Sequence, residues 1–180
     1  MSYCAFCEQL EEDDLHKIYH DTAYGFPIEN DNELFGRLIL EINQAGLSWG
    51  LMLKKQDNFR MAFDDFDISK IAEYTDEKIE ELLMNAGIIR NKLKINAVIH
   101  NAKEIIEIKK EFGTFKKWLD DHYSLEKSDW IKLFRKRFKF VGGEIVNEFL
   151  MSTGYLKGAH VENCVIGLKI STYKPKWLEK

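Results

Sequence analysis

Residues 34–49 read LFGRLILEINQAGLSW and place one carboxylate on an otherwise apolar helical stretch. Leu34, Leu38 and Glu41 follow one another at spacings of four and three residues, which put side chains on one face of a helix. Glu41 therefore points toward the apolar side, shortly before Gly46 interrupts the pattern. Because a buried carboxylate is costly without a partner, two interpretations stay open. It is either a structural glutamate, which reaches the rim or pairs with a lysine, or a group held in a pocket for a polar or cationic ligand.

The same helical spacing of apolar residues continues along nearly the whole chain, with no alternating strand pattern. Asp31, Asp67 and Thr75 stand where N-caps are needed. Only two prolines interrupt the 180 residues, so helices can form almost anywhere. The sequence predicts an all-α protein with many short helices. The expected segments are 31–46, 48–63, IAEY after Asp67, 75–87, 91–112, TFKKWL, SDWIKLFRKRF and GEIVNEFLMSTG.

Size and composition favour one domain over residues 1–180. The chain is 45% hydrophobic and 13% aromatic, which is enough for a sizeable core. Three cysteines, an odd number, argue against a secreted disulfide framework. The acidic N-terminus lacks the apolar segment of a signal peptide, and no run of about 18 apolar residues occurs. We expect a cytoplasmic protein with no membrane association.

Charge is distributed unevenly although the formal net charge is only −4. Residues 8–33 carry nine acids and one lysine, whereas residues 130–140 carry five basic residues and no acid. Such runs are often only solvated helix faces. The basic run can also form an electrostatic contact surface for nucleic acid.

Cysteines and histidines near both chain ends form a candidate metal site. His160 and Cys164 are four residues apart, and Cys4 and His20 lie near the N-terminus. Two sulfurs and two imidazoles suit one tetrahedral zinc ion in a closed, structural site. The spacing alone leaves alternatives, because Cys7 completes a C-x-x-C pair with Cys4. Buried free cysteines beside a surface histidine are equally compatible with the pattern.

Residues 128–154 predict two amphipathic helices joined by FKFVGG, residues 138–143. A glycine turn that opens a helix presents free backbone N–H groups and the positive end of the helix dipole. Together with Lys139 and the basic run, this arrangement can hold a DNA phosphate without reading sequence. An ordinary helix–helix turn would have the same local pattern.

Several of these stretches together resemble 3-methyladenine DNA glycosylase I, a family of the helix-hairpin-helix glycosylase superfamily. The resemblance is collinear from Cys4 to Cys164, and its most specific parts are QAGLSW and the Cys/His set at the chain ends. The motifs that carry it are YHDTAYGFP, LEINQAGLSW, NAGIIRNKLKINAVIHNA, FKFVGG and HVENC.

The resemblance implies an all-α helix-hairpin-helix fold, with one structural zinc that joins the two terminal regions and no organic cofactor. It favours Cys4, His20, His160 and Cys164 as ligands over any set with Cys7. It also implies a role for each site residue. Glu41 is the catalytic pocket carboxylate; the base-binding residues are Tyr19, Trp49, Phe6, Tyr24 and His16; the DNA-binding residues are Gln44, Gly46, Leu47, Lys139, Gly142 and Gly143.

The family's reaction releases 3-methyladenine, with 3-methylguanine as a second candidate base, from alkylated double-stranded DNA after the damaged nucleotide is flipped out. The expected enzyme is a monofunctional hydrolase acting on the N-glycosyl bond, a monomer whose free product is 3-methyladenine. N3-Methyladenine in DNA is cationic, so aromatic faces attract it. Because this base carries a positive charge, it is already a good leaving group and needs no strong acid catalysis. Like the family it resembles, this chain has no acid near Gly158–His160.

Departures from the family pattern keep a second reading open. Phe6 and Tyr24 stand where tryptophans are common, and His16 where a tyrosine is common. Glu144 follows the hairpin glycines and places an anion where a phosphate approaches. These changes motivate the alternative of a homologue that binds methylated purine or DNA without excision. A structural zinc protein with a protein partner is a more distant alternative.

Overall fold

The computed structural model describes residues 1–179 and confirms the all-α prediction: within this range every regular element is a helix. Short 3₁₀ helices occupy Asp64–Phe66 and Lys176–Leu178. The α-helices are α1 Tyr3–Cys7, α2 Leu15–Thr22, α3 Asp31–Gln44, α4 Trp49–Ala62, α5 Ile68–Ala72, α6 Asp76–Met84, α7 Lys92–Phe112, α8 Phe115–Asp121, α9 Lys127–Arg137, α10 Gly143–Ser152 and α11 Val165–Ser171.

Side-chain caps define where several predicted helices begin. Asp67 accepts a hydrogen bond from Lys70 N, and Thr75 accepts one from Lys78 N, so both predicted caps are confirmed. The helix after Thr75 is shorter than predicted, because it ends at Met84 instead of Gly87. Beyond that end, the Asn85 side chain accepts from Gly87 N at 2.8 Å and stabilises a turn.

The prediction that Asp31 caps α3 is wrong. Asn30 caps this helix, with Oδ1 accepting from the N–H groups of its second and third following residues at 2.9 and 3.1 Å. The Asp31 carboxylate instead accepts from Phe115 N at 3.1 Å and Lys116 N at 2.9 Å. It therefore satisfies the first N–H groups of α8, a helix more than eighty residues away, which local sequence spacing cannot reveal.

Helix α3 lies at the centre of the core and packs against α4, α7, α8 and α10. Its Gly36 has no room for a side chain, because a Cβ there would lie 2.3 Å from the Phe66 ring. On the far side, α8, α9 and α10 enclose buried aromatic rings that fix the hairpin helices. These rings belong to Phe115, Trp118, Trp130, Phe134 and Phe149.

The two terminal regions meet on one side of α3. Gly25 N donates to Ser152 O at 2.9 Å, which joins the end of α2 to the end of α10. The C-termini of α2 and α3 and one face of α10 thereby surround a common space. Among residues 1–179, no helix combines the length and apolar composition needed to cross a membrane.

We expect Asp31→Ala to destabilise the fold by about 1–2 kcal/mol, because it removes a helix cap that acts between distant elements. Asp76→Ala is the matched control, since Asp76 is also the first residue of a capped helix but is exposed. Chemical denaturation measures both. Equal midpoints for the two variants would contradict a capping role for Asp31.

Candidate active site and metal centre

A cavity of about 290 Å³ lies between α1, α2, α3, α4 and α10. Three tyrosine rings and an indole form its walls, and two carboxylates lie among them. This combination of aromatic faces and negative charge suits a flat, cationic ligand. The lining residues are Tyr3, Tyr19, Tyr24, Glu41, Gln44, Trp49 and Glu148.

The Glu41 side chain is buried at this cavity, with the residue only 4% exposed. Burial is the main cause that raises the pKa of its carboxyl group to about 8; the Arg37 charge opposes this shift and the Glu148 carboxylate adds to it. In residues 1–179 no lysine or arginine forms a salt bridge with Glu41. Of the two interpretations of this residue, the structure favours the pocket carboxylate over the paired rim glutamate.

Aromatic rings pack tightly beside Glu41. The Tyr19 ring centroid lies 5.1 Å from that of Trp49 and 5.5 Å from that of Tyr24. Arg37 Nη1 donates to Tyr19 Oη at 2.9 Å, which fixes the phenol from the α3 side. The buried Trp49 Nε1–H has no hydrogen-bond partner in residues 1–179.

Two residues that the sequence did not single out line the cavity, and two predicted ones do not. Tyr3 and Glu148 are in the lining, whereas Phe6 and His16 are outside it. His16 Nδ1 lies 3.0 Å from Tyr3 Oη, and the Phe6 ring stacks on the Tyr3 ring with centroids 6.2 Å apart. Phe6 and His16 therefore support Tyr3 instead of facing the cavity.

The predicted DNA-contacting loop follows directly from α3. Gly46 has φ +81°, a conformation that favours glycine, and Gln44 Nε2 donates to Leu47 O at 2.8 Å across the turn. Leu47 is exposed at the tip. Below it, Lys94 Nζ donates to Asn43 O and Ala45 O, both at 2.8 Å, and satisfies carbonyl groups at the end of α3.

The hairpin between α9 and α10 is held by one buried amide. Asn101 on α7 accepts from Lys139 N at 2.7 Å and donates to Lys139 O at 3.1 Å. Gly142 caps α10, and a Cβ built there meets nothing within 4 Å. No side chain caps α10, so the N–H groups of its first turn are left for a phosphate to bind.

The loop and the hairpin border one groove beside the cavity. Gln44 and Gly46 line one side of this groove, and Gly142 and Gly143 line the other. Glu41 and Glu148 belong to both the groove and the cavity, so the two spaces are adjacent. The structure thus brings most of the predicted base- and DNA-contacting residues to one continuous surface.

The four predicted metal ligands converge. Their ligand atoms all lie within 4.8 Å of one another. His160 Nδ1 is 3.6 Å from Cys4 Sγ and 3.4 Å from Cys164 Sγ, and His20 Nε2 is 3.7 Å from Cys164 Sγ. Zinc–sulfur and zinc–nitrogen bond lengths place tetrahedral ligands roughly 3.6 Å apart, so these separations fit a metal ion.

The outward-facing nitrogens of both histidines are occupied, which leaves the inward nitrogens free to bind a metal. His20 Nδ1 lies 2.6 Å from Asp21 Oδ1, and His160 Nε2 lies 2.8 Å from Tyr24 O. Partners of this kind fix the ring orientation of metal-bound histidines. Cys7 is not in the cluster, because its thiol is directed to His16 O at 3.6 Å. The group could therefore hold a metal ion without Cys7.

The model of the family described as methyladenine glycosylase matches residues 9–131, more than half of the sequence. The chain belongs to this family. The predicted family and the predicted glycosylase class are thereby confirmed.

Characterised relatives agree with this membership. DNA-3-methyladenine glycosylase 1 of Escherichia coli K12 is 36% identical over 177 residues, covering 88% of this chain and 94% of the relative. A crystal structure of 3-methyladenine DNA glycosylase I superposes with a TM-score of 0.80 at 32% identity, over 88% and 97% of the two chains. A structure describing 3-methyladenine recognition by the Staphylococcus aureus enzyme gives 0.81 at 29% identity, over 92% and 96%.

We expect Glu41→Gln to stabilise the protein in alkaline solution. The pKa of Glu41 is about 8 in the folded state against 4.5 for an ordinary glutamate. The folded protein therefore binds the Glu41 proton more tightly than the unfolded chain, and this proton stabilises the fold below pH 4.5. The stabilisation is lost as the pH rises through the folded-state pKa of about 8. Because glutamine stays neutral, Glu41→Gln should melt several degrees above wild type in alkaline solution, at roughly 2–4 °C per kcal/mol of added stability.

Thermal melts of wild type and Glu41→Gln at acidic and alkaline pH measure this difference. Other titrating groups cancel when the two proteins are compared at each pH. A difference in melting temperature that does not grow with pH would contradict the raised pKa of Glu41.

Proposed function

We propose that this chain acts in base-excision repair and releases 3-methyladenine from alkylated double-stranded DNA by hydrolysis of the N-glycosidic bond. The observation that carries the proposal is the buried Glu41 carboxyl group among aromatic rings, in a cavity that adjoins the loop–hairpin groove. Family membership and the named activity of the relatives support the same reaction.

The cavity would read the damaged base after the nucleotide has left the duplex. Tyr19 and Trp49 offer ring faces to the cationic purine. Ionised Glu41 accepts a hydrogen bond from the exocyclic amine of the base. The positive charge of the base favours this ionised form of Glu41 over the protonated form. Burial makes this interaction stronger than it would be in water.

The chemical step needs little acid catalysis. When the C1′–N9 bond breaks, its electron pair moves to the base and neutralises its positive charge. Water supplies the oxygen that bonds to C1′ and gives its proton to solvent. Normal purines are uncharged and leave less readily, so a pocket of this kind spares them.

A covalent lysine intermediate is not part of the proposal. In residues 1–179 no lysine lines the cavity, and the ammonium group of buried Lys94 is engaged by two carbonyl groups at the end of α3. His160 occupies the position near which related glycosylases carry an acid, and it lies in the Cys/His cluster. We therefore infer a monofunctional hydrolase.

The DNA surface would combine the loop and the hairpin. Leu47 at the loop tip is positioned to enter the gap left by the flipped base, with Gln44 and Gly46 shaping the turn. Gly142, Gly143 and Lys139 would hold a phosphate through backbone N–H groups and charge. The predicted monomeric state and cytoplasmic location stay predictions.

We also infer that Cys4, His20, His160 and Cys164 hold one zinc ion. Two thiolates and two imidazoles suit zinc, and four protein ligands leave no open position, so the ion would be structural. It would join α1 and α2 to the segment before α11. Because the backbone carbonyl of Tyr24 supports His160, the same site would also fix one wall of the cavity.

Base release from methylated duplex DNA tests the reaction. We expect prompt release of 3-methyladenine by wild type and a fall of at least about a hundredfold in kcat/KM for Glu41→Ala, which removes charge at a buried site. Glu80→Ala is the control, because Glu80 is exposed on α6 and does not line the cavity. Binding of methylated DNA without release would favour the alternative in which the protein binds but does not excise.

Metal analysis tests the zinc site. Protein purified without chelator should contain about one zinc per chain, and Cys164→Ala should lose it and melt at a lower temperature. Cys7→Ala is the matched control, since this buried thiol is outside the cluster. Zinc retained in Cys164→Ala but lost in Cys7→Ala would show that the ligand set is wrong.

A further inference from the structure

Glu148 lies where a flipped nucleotide would pass from the DNA surface into the base cavity. It is on α10, on the second turn after the hairpin glycines. Its side chain lines the cavity beside Tyr24 and also lines the groove beside Gly142. None of the roles assigned above uses this carboxylate.

The Glu148 carboxylate has a polar contact but no basic partner. Tyr24 Oη donates to Glu148 Oε2 at 3.3 Å, which holds the carboxylate at the cavity wall. No salt bridge in residues 1–179 involves Glu148, although Lys127 on α9 acts on it from a distance. Arg37, whose charge acts on Glu41, is engaged by Tyr19 Oη and Ser152 O.

The Glu148 carboxylate opposes ionisation of the neighbouring Glu41 carboxyl group. Burial and the neighbouring Glu144 raise the pKa of Glu148, and Glu148 in turn raises that of Glu41. A cation between them would relieve this repulsion, whereas a neutral ligand would not. Two carboxyl groups kept together at the edge of an aromatic cavity therefore suit a positively charged ligand, which favours the ionised form of both.

We propose that Glu148 is a second recognition carboxylate, which makes the cavity selective for N-alkylated purines that carry a positive charge. The inference rests on the proposed glycosylase function and deepens it. The charge that Glu148 attracts exists in the nucleotide but not in the product. When the C1′–N9 bond breaks, the electron pair stays on N9 and the base becomes neutral, while water bonds to C1′ and its proton goes to solvent.

Glu148 thus discriminates between the damaged nucleotide and the released base. It binds the cationic nucleotide more strongly than the neutral product, so it favours product release as well as selection.

The test compares Glu148→Gln and Glu148→Asp with wild type. Glutamine preserves the acceptor for Tyr24 and removes the charge; aspartate preserves the charge. We measure kcat/KM for 3-methyladenine release from methylated duplex DNA. Affinity for free 3-methyladenine is measured by calorimetry under alkaline conditions, where the free base is uncharged. Glu80→Gln on α6 is the control for loss of a distant glutamate charge.

We expect Glu148→Gln to lower kcat/KM by about tenfold or more while its Kd for the neutral free base changes by less than about twofold. Glu148→Asp should recover part of the lost rate. Parallel losses of rate and free-base affinity in Glu148→Gln would show a structural role and overturn the inference. Unchanged release by Glu148→Gln would overturn this inference and leave the proposed function standing. No release by wild type would overturn the proposed function and this inference with it.

Discussion

The end of α3 is the point on which the candidate site depends, and one buried lysine holds it. A helix leaves its last carbonyl groups without partners, and Lys94 Nζ satisfies two of them from α7. The same ammonium lies 5.7 Å from the centroid of the Phe140 ring in the hairpin. Lys94 therefore joins the helix that carries Glu41, the loop that begins at Gln44 and the hairpin that opens α10.

The burial of α3 in the core lets this helix carry the Glu41 carboxyl group, whose desolvation opposes folding. Residues of α3 on either side of Glu41 are fully buried, so the helix cannot turn to bring the carboxylate into water. The cost of desolvating Glu41 is offset by apolar packing elsewhere on α3, which is a common relation between stability and function at active sites. The aromatic rings of Tyr19 and Trp49 line the same cavity as the Glu41 carboxyl group.

Sequence reasoning predicted the helices and most of the site because both leave local or motif-level patterns. Apolar spacing identified α3 and α7, and the family motifs named the four residues that converge as a Cys/His cluster. The Asp31 cap, in contrast, joins α3 to α8, and no local pattern records such a contact. Likewise, Tyr3 lines the cavity because Phe6 and His16 pack around it, which only the three-dimensional arrangement of α1 and α2 reveals.

The distribution of charge around the groove explains how an acidic cavity can work on a polyanion. Glu41 and Glu148 lie inside, while Glu144 is exposed at the start of α10 and weakens that helix end as a phosphate site. Phosphate attraction must then come from the basic stretch immediately before the hairpin. There, the side chains of Arg135, Lys136 and Lys139 form no salt bridge in residues 1–179, whereas that of Arg137 is engaged by Glu111 at 2.8 Å. Backbone phosphates would be drawn to these exposed cations and repelled by the cavity carboxylates, so the part of DNA favoured inside the cavity is a base that carries its own positive charge.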